Sequence, residues 1–322
     1  MILSVTLNPL LEKRLFFEKV ELGSPQRADK EMFAAGGKGI NVSRQLNLLG
    51  IDNSSFTFIG GNNGKIFRHI LNEEKIDFSL VSIKSETRCA DIIIEERANR
   101  ITTFFGINSV VTKEESDEFK QKLEKMILNC STVVFSGSSP CKTTNDIFSY
   151  GIELANKHDK TSILDTYGKH LQKCIEASPT VIHNNVIEVE NSFGISLKSE
   201  DDKVNYLKKL YSQNIKLSFL TDGANPAYAC KFGFIYKIIS PEIKSIDPTG
   251  SGDAFVSGII HGLEHALVFD EFVKNAVALG AANAAKLETC SVNKDELQNH
   301  LDKVIIEPIG KKMKIIDDSP NY

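Results

Sequence analysis

Short apolar runs recur along this chain between longer stretches of helical periodicity, and that alternation limits the fold more than any single motif. Residues 2–7, 56–59, 132–135, 162–164, 180–182 and 217–220 have the length and apolar content of buried strands. Strands joined by helices pair in parallel, so the pattern predicts an α/β fold, a mostly parallel sheet covered by helices on both faces. Ligands of such sheets gather at the C-terminal strand edge, where Gly60, Ser136, Asp165, Asn185 and Thr221 fall. Two segments break the rhythm: 15–33 and 89–105 hold strand-like stretches with no helix between them. A hairpin turning at Gly233 is predicted within 229–239, and late helices over 276–286 and 294–304.

The length of 322 residues, 41% of them hydrophobic, allows one large core. One domain over 1–310 is predicted, with 311–322 as a frayed tail. A net charge of −4 argues against nonspecific nucleic-acid binding, so a phosphate site would need locally gathered cations, for which Arg27, Lys38 and Arg88 are the candidates. No apolar run approaches the roughly 20 residues that cross a bilayer, and a soluble protein away from membranes is expected. The six cysteines form no C-x-x-C pair and the N-terminus shows no basic-then-apolar leader, which together suggest a reducing cytoplasm.

Two glycine clusters carry the chemistry. In the first, Gly250-Ser251-Gly252-Asp253 precedes an apolar stripe of Phe255, Val256, Ile259, Ile260 and Leu263, which puts the glycines where first-turn N–H groups lack partners. Such a helix start can hold an anion, and glycine lets a phosphate approach the backbone closely. Asp253 could then accept the proton of an attacking hydroxyl, as a catalytic base does in phosphoryl transfer; a glycine turn followed by an Asp-capped helix is the alternative. The second cluster, Ala35-Gly36-Gly37-Lys38-Gly39-Ile40-Asn41, leads into a helix with Leu46 and Leu49 on its buried face and Gly50 as its C-cap. Familiar nucleotide motifs do not fit. Gly64-Lys65 is followed by Ile66 where a P-loop needs Ser or Thr, and Phe255 stands where a dinucleotide fingerprint wants Gly or Ala. No Gly-x-Ser-x-Gly follows a strand end, which leaves hydrolase chemistry without support.

These two clusters, together with Thr6-Leu7-Asn8-Pro9, Thr87-Arg88, Ser136-Gly137-Ser138-Ser139-Pro140 and Asp165-Thr166-Tyr167-Gly168, resemble the signatures of the PfkB (ribokinase-like) carbohydrate kinases. The likeness runs from about Ile2 to about Ile306 and is strongest to the 1-phosphofructokinase and tagatose-6-phosphate kinase branch. It implies an ATP- and Mg2+-dependent kinase of a phosphorylated ketohexose, fructose 1-phosphate or tagatose 6-phosphate. A non-catalytic sensor of sugar phosphate or nucleotide on the same fold is the alternative. The two irregular segments, about 12–35 and 88–106, would form a small β lid over the sugar and could pair with a second copy in a homodimer.

By the same resemblance, Asp253 with Gly250, Ser251 and Gly252 would be catalytic. Glu12, Arg27, Gly37, Lys38, Asn41, Arg88 and Ser136 would bind the sugar phosphate, the cations gripping its phosphate. Surface ion pairing is the alternative for the cations, an N-cap for Asn41 and a strand-end turn for Ser136. Thr221 and Gly223 would touch nucleotide phosphates unless they form an ordinary turn, and Ala278 and Asn283 would border the adenine unless they simply pack helices. Asn185 and Glu188 would hold Mg2+ through water, or begin a helix. Two departures stand out: Glu12 replaces the Asp common in relatives, and His183 replaces a Lys.

Overall fold

The computed structural model describes residues 1–310; the tail expected over 311–322 lies outside the described residues. The strands, in chain order, are β1 (Ile2–Thr6), β2 (Leu10–Phe17), β3 (Lys30–Gly36), β4 (Asn53–Gly60), β5 (Phe78–Ile83), β6 (Cys89–Glu95) and β7 (Arg100–Phe105). There follow β8 (Thr132–Ser136), β9 (Thr161–Asp165), β10 (Val181–Asn185), β11 (Leu217–Asp222), β12 (Asn225–Lys231), β13 (Phe234–Ile239) and β14 (Ile305–Ile309). The helices are α1 (Lys38–Leu49), α2 (Gly61–Glu73), α3 (Lys113–Leu128), α4 (Ile147–Lys157) and α5 (Leu171–Glu176). The remaining ones are α6 (Val186–Phe193), α7 (Glu200–Ser212), α8 (Ser251–Glu264), α9 (Phe269–Ala284) and α10 (Lys294–Leu301).

Ten strands form one sheet in the order β14-β13-β12-β11-β10-β9-β8-β1-β4-β5. It is parallel from β5 to β11 and antiparallel from β11 to β14. Successive residues of a strand point to opposite faces, and the core divides accordingly. Leu3, Val5, Val133 and Phe135 pack with Phe119, Phe148 and Leu207 on one side. Ile2 and Val134 pack with Val42, Leu46, Phe255 and Ile259 on the other. Parallel strands buried on both faces read as continuous apolar runs, which is why the sequence marks them so plainly.

A second sheet, β3-β2-β6-β7, is the predicted lid; β2 and β6 run parallel while its outer pairs are antiparallel. Its face toward the large sheet carries Leu10, Glu12, Arg14, Ile92 and Ile94, which line a cleft closed on the other side by Asp247, Thr249 and Leu287.

Three elements differ from expectation. The edge strand β5 differs because its apolar run is broken by Ser79 and Ser82, both exposed, and only two of its six residues are buried. At the opposite edge the last helix, expected over 294–304, ends at Leu301, and β14 occupies a stretch beyond it for which no strand was expected; Pro308 is tolerated there because an edge strand can dispense with one donor. Leu263, assigned to the buried stripe of α8, is 37% exposed in the helix's last turn.

Candidate active site

Buried polar atoms without partners mark the place where the sheet offers hydrogen bonds to something else. Thr6 Oγ1, Ser136 Oγ, Asp165 Oδ2 and Asn184 Oδ1 are all buried and find no partner among the described residues. They sit at or beside the C-terminal ends of β1, β8, β9 and β10, four adjacent strands. Native proteins leave few such groups unsatisfied, so their concentration at one edge points to a ligand or ordered water.

The helix α8 begins above this edge. Gly250 is its N-cap with φ 79°, a left-handed conformation that glycine adopts without strain. The N–H of Ser251 turns back to the Pro248 carbonyl, while those of Gly250, Gly252 and Asp253 have no acceptor among the described residues. Asn283 supports the turn from behind: its Nδ2 donates to the Thr249 carbonyl at 2.8 Å and to Ser251 Oγ at 3.1 Å, and its Oδ1 accepts from the Cys290 N–H at 2.7 Å. The result is a helix start with three amides open to an acceptor at the positive end of the helix dipole, the arrangement that suits an anion cradle.

Asp253 stands in the first turn of α8, 4% exposed. Burial pushes its carboxyl up to about 7, against the pull of Lys38; Asp165 and Glu188 add to the rise and a hydrogen bond from Asn41 reduces it. That bond, Asn41 Nδ2 to Asp253 Oδ2, is 2.7 Å long. Its direction is fixed by Arg44, whose Nη1 donates to Asn41 Oδ1 at 2.8 Å and so leaves the amide nitrogen to face Asp253. Asn41 lies inside α1, whose N-cap is Gly37 with φ 117°, so the alternative of a capping role for Asn41 is ruled out. The first turns of α1 and α8 thus meet at one carboxylate.

Lys38, expected on the sugar phosphate, is instead bound to acids. Its Nζ lies 3.0 Å from Asp165 Oδ1 and 2.5 Å from Glu188 Oε1. The reason is positional: as the first residue of α1 it projects over the end of β9 toward the start of α6. Burial alone would lower its pKa, but Asp165, Glu188 and Asp253 outweigh burial and raise it, so the ammonium stays charged. Burial likewise opposes ionisation of Asp165, yet Lys38 and His183 hold its carboxyl down at about 2.

His183, 1% exposed, presents Nδ1 to Asp165 Oδ1 and Nε2 to Thr221 Oγ1, each at 3.1 Å. An ionised carboxylate can only accept, which places a hydrogen on Nδ1. The ring is tilted against Phe255 with centroids 5.0 Å apart and lies directly under the cradle, where a Cβ on Gly252 would come within 3.3 Å of Cε1. Asn185 and Glu188 form a capping box: Asn185 Oδ1 accepts from the Glu188 N–H at 2.8 Å and Glu188 Oε2 from the Asn185 N–H at 3.2 Å. The helix-start alternative therefore describes Asn185 fully, while Glu188 keeps Oε1 turned to Lys38.

On the lid side, Arg88 immediately precedes β6. It donates to the carbonyls of Pro9 at 3.3 Å and Asn8 at 3.1 Å, and lies over the Phe105 ring at 5.9 Å. Burial lowers its pKa, and it has no carboxylate partner among the described residues, so its charge is uncompensated. Glu12 is 6% exposed and its Oε2 accepts from Arg14 Nη2 at 2.7 Å and Nε at 3.0 Å. Its Oε1 lies against Gly36, where a Cβ would come within 2.4 Å; the longer acid fits because residue 36 has no side chain.

Two sequence-derived candidates are not brought to the site. Arg27 lies exposed in the loop joining β2 to β3, at the end of the lid remote from Glu12, because Phe16 pairs with Lys30 while Glu12 pairs with Ala34. Ala278 is completely buried in the apolar cluster that contains Phe255 and Ile259. Asn283 likewise has no exposed face and acts on the cradle. Gly223, with φ 57° and no neighbour within 4 Å of a Cβ, forms the exposed tip of the β11–β12 hairpin beside Thr221. Sequence reading also passed over Arg14, which lies in an otherwise unremarkable strand, and gave no separate role to Asp165, although its strand-end position and its Asp-Thr-Tyr-Gly motif both marked it.

Known proteins of similar sequence and shape place these features in context. The model of the pfkB family carbohydrate kinases matches residues 11–296. The chain is 31% identical over 302 residues to a tagatose-6-phosphate kinase of Staphylococcus epidermidis, covering 92% of this chain and 96% of that protein. It is 31% identical over 296 residues to a 1-phosphofructokinase of Borreliella burgdorferi, covering 90% and 94%. Its fold superposes with a TM-score of 0.88 on the crystal structure of a possible 1-phosphofructokinase from Thermotoga maritima, at 26% identity and over 96% of this chain and 99% of that one. The ribokinase-like architecture, the two glycine clusters and the match along nearly the whole chain agree: this protein belongs to the pfkB family of carbohydrate kinases.

Proposed function

We propose that this chain transfers the γ-phosphoryl group of ATP to a hydroxyl of a phosphorylated ketohexose, with fructose 1-phosphate favoured and tagatose 6-phosphate the other candidate, to give a bisphosphate. The observation that carries this reading is Asp253, a buried carboxyl held near neutrality beside three unpaired amides. Asn41 occupies Oδ2, so Oδ1 takes the proton as the acceptor's O–H bond breaks. The new O–P bond forms as the bond from the γ-phosphorus to the bridging oxygen breaks, and ADP leaves. The amides of Gly250, Gly252 and Asp253 face the charge that develops on the transferring group.

Arg88 is the free cation suited to the phosphate the acceptor already carries, because a guanidinium can donate two parallel hydrogen bonds to it. Glu12 Oε1, Asn41, Gly37 and Ser136 Oγ surround the space beneath it and supply partners for sugar hydroxyls. Thr221 and Gly223, beside the cradle, suit the nucleotide. Asp165 and Glu188 offer oxygen donors of the kind Mg2+ prefers, and Asp165 Oδ2 has no partner. Among the described residues no three acidic, His or Cys side chains converge to hold an ion directly, which fits a hydrated ion held through water. When bound, Mg2+ would offset charge on the β- and γ-phosphate oxygens. The outer face of the lid supports pairing with a second copy: Phe33, Lys13, Asp91 and Phe104 lie in one cross-strand row, and Phe33 and Phe104 are 39% and 61% exposed.

Incubation with Mg-ATP and fructose 1-phosphate, fructose 6-phosphate or tagatose 6-phosphate is expected to release ADP with at least one sugar; silence with all of them would favour a sensor. Asp253→Asn should lower kcat by about a thousandfold or more while sugar binding persists, and kcat/KM of the unaltered protein should rise with pH through a midpoint of about 7 and level off roughly a pH unit above it. The same residue makes a stability prediction. Between the ordinary value of 3.8 and about 7, the folded carboxyl keeps a proton that the unfolded one has lost, so stability falls as pH rises through that window. Asp253→Asn should therefore melt higher than the unaltered protein at pH 8, and the difference should close toward pH 4.

Arg88→Ala is expected to raise KM for the sugar phosphate by about tenfold or more and KM for ATP far less; equal rises would remove Arg88 from the acceptor phosphate. Light scattering should give the mass of a dimer, and Phe104→Asp should convert it to a monomer.

A further inference from the structure

A glutamate in a sugar site has one more rotatable bond than an aspartate, and a carboxylate that wanders cannot hold a hydroxyl in line for transfer. Groups misplaced by about 1 Å can lose on the order of a hundredfold in rate. In this chain the extra bond is immobilised. Glu12 and Arg14 are two residues apart on β2 and therefore share the face of the lid that looks into the cleft. Arg14 directs two N–H groups at a single oxygen, Nη2 to Oε2 at 2.7 Å and Nε to Oε2 at 3.0 Å. Oε1 accepts no hydrogen bond from the described residues and rests over Gly36. The guanidinium is itself fastened from the opposite wall of the cleft: Nη1 donates to the Leu287 carbonyl at 3.2 Å and Nη2 to Thr289 Oγ1 at 3.3 Å. Both side chains of the pair are only 8% exposed, so the arrangement is poorly screened by solvent.

Thr289 has a second contact. A Cβ on Gly250 would come within 2.1 Å of its Cγ2, so the residue that fastens Arg14 also lies against the N-cap of α8.

We propose that Arg14 is a positioning residue for the acceptor: it holds Oε2 of Glu12 so that Oε1 is presented to a sugar hydroxyl, and it sets the lid at a fixed distance from the segment backing the anion cradle. This rests on the kinase reading and deepens it, for it identifies what makes a glutamate workable at position 12. A buried ion pair adds little net stability but can fix one arrangement, and here the arrangement fixed is that of a ligand-facing oxygen.

The test is steady-state kinetics with Mg-ATP and whichever of fructose 1-phosphate and tagatose 6-phosphate the unaltered protein converts. Arg14→Met should raise KM for the sugar about tenfold or more and lower kcat, with KM for ATP changed by less than about twofold. Arg14→Lys, which keeps the charge but loses the two-pronged grip, should fall between them. Thr289→Val, which loosens the guanidinium without touching Glu12, should shift the sugar KM in the same direction by a smaller factor. An unchanged sugar KM in Arg14→Met overturns the proposal whatever happens to its melting temperature, as does an equal rise in both KM values. If Arg14→Met does not fold, an unchanged sugar KM in Arg14→Lys overturns it. Should the unaltered protein convert no sugar phosphate, the kinase reading falls and the proposal falls with it, a result distinct from normal turnover that is indifferent to Arg14.

Discussion

The hydrogen bond from Asn41 to Asp253 is the contact on which the site depends. It joins the first turns of two helices that arise more than 200 residues apart, one from each glycine cluster. Neither helix alone makes a site. A helix start binds anions of many kinds, and a buried carboxyl by itself is a liability that protonates and falls silent. Together they place a carboxyl near neutrality against unpaired amides, and Arg44 keeps the linking amide from turning over.

The charges around that contact are arranged with economy. Lys38 bridges Asp165 and Glu188 and reaches Asp253 through the field alone, so three acids are gathered around a single ammonium. Asp165 is held ionised while Asp253 is held near neutrality, although both are buried, because Lys38 and His183 bond directly to the first and only Asn41 bonds to the second. Two carboxylates with different proton affinities therefore stand in one pocket, a division of labour set by their hydrogen-bond partners.

Much of this was legible in the sequence. Parallel strands buried on both faces announce themselves as apolar runs, and glycines before an apolar stripe announce a helix start open to an anion. What stayed hidden depends on partners distant in the chain. That Lys38 meets Asp165 and Glu188 follows from β9 ending and α6 beginning beneath α1, which no local pattern encodes. Asn185 was read toward a metal although its Asn-x-x-Glu spacing is also that of a capping box, and the structure forms the box. Ala278 and Asn283 looked alike as small-helix residues; one is swallowed by the core and the other props the cradle. The edge strands β5 and β14 were missed because half-exposed strands lose the apolar continuity by which central ones are recognised.

Two of the connections between the lid and the body are very short. Gly37 alone separates β3 from α1, Leu7 to Pro9 separate β1 from β2, and Arg88 abuts β6. Those joints are also where the acceptor would be gripped, since Gly37 and Arg88 are themselves joint residues and Asn41 lies one turn beyond. The short connection at Gly37 ties the small sheet to the first turn of α1, and Arg88 ties it to the loop after β1 through the Asn8 and Pro9 carbonyls, so the geometry of the cleft is set by the same residues that line it.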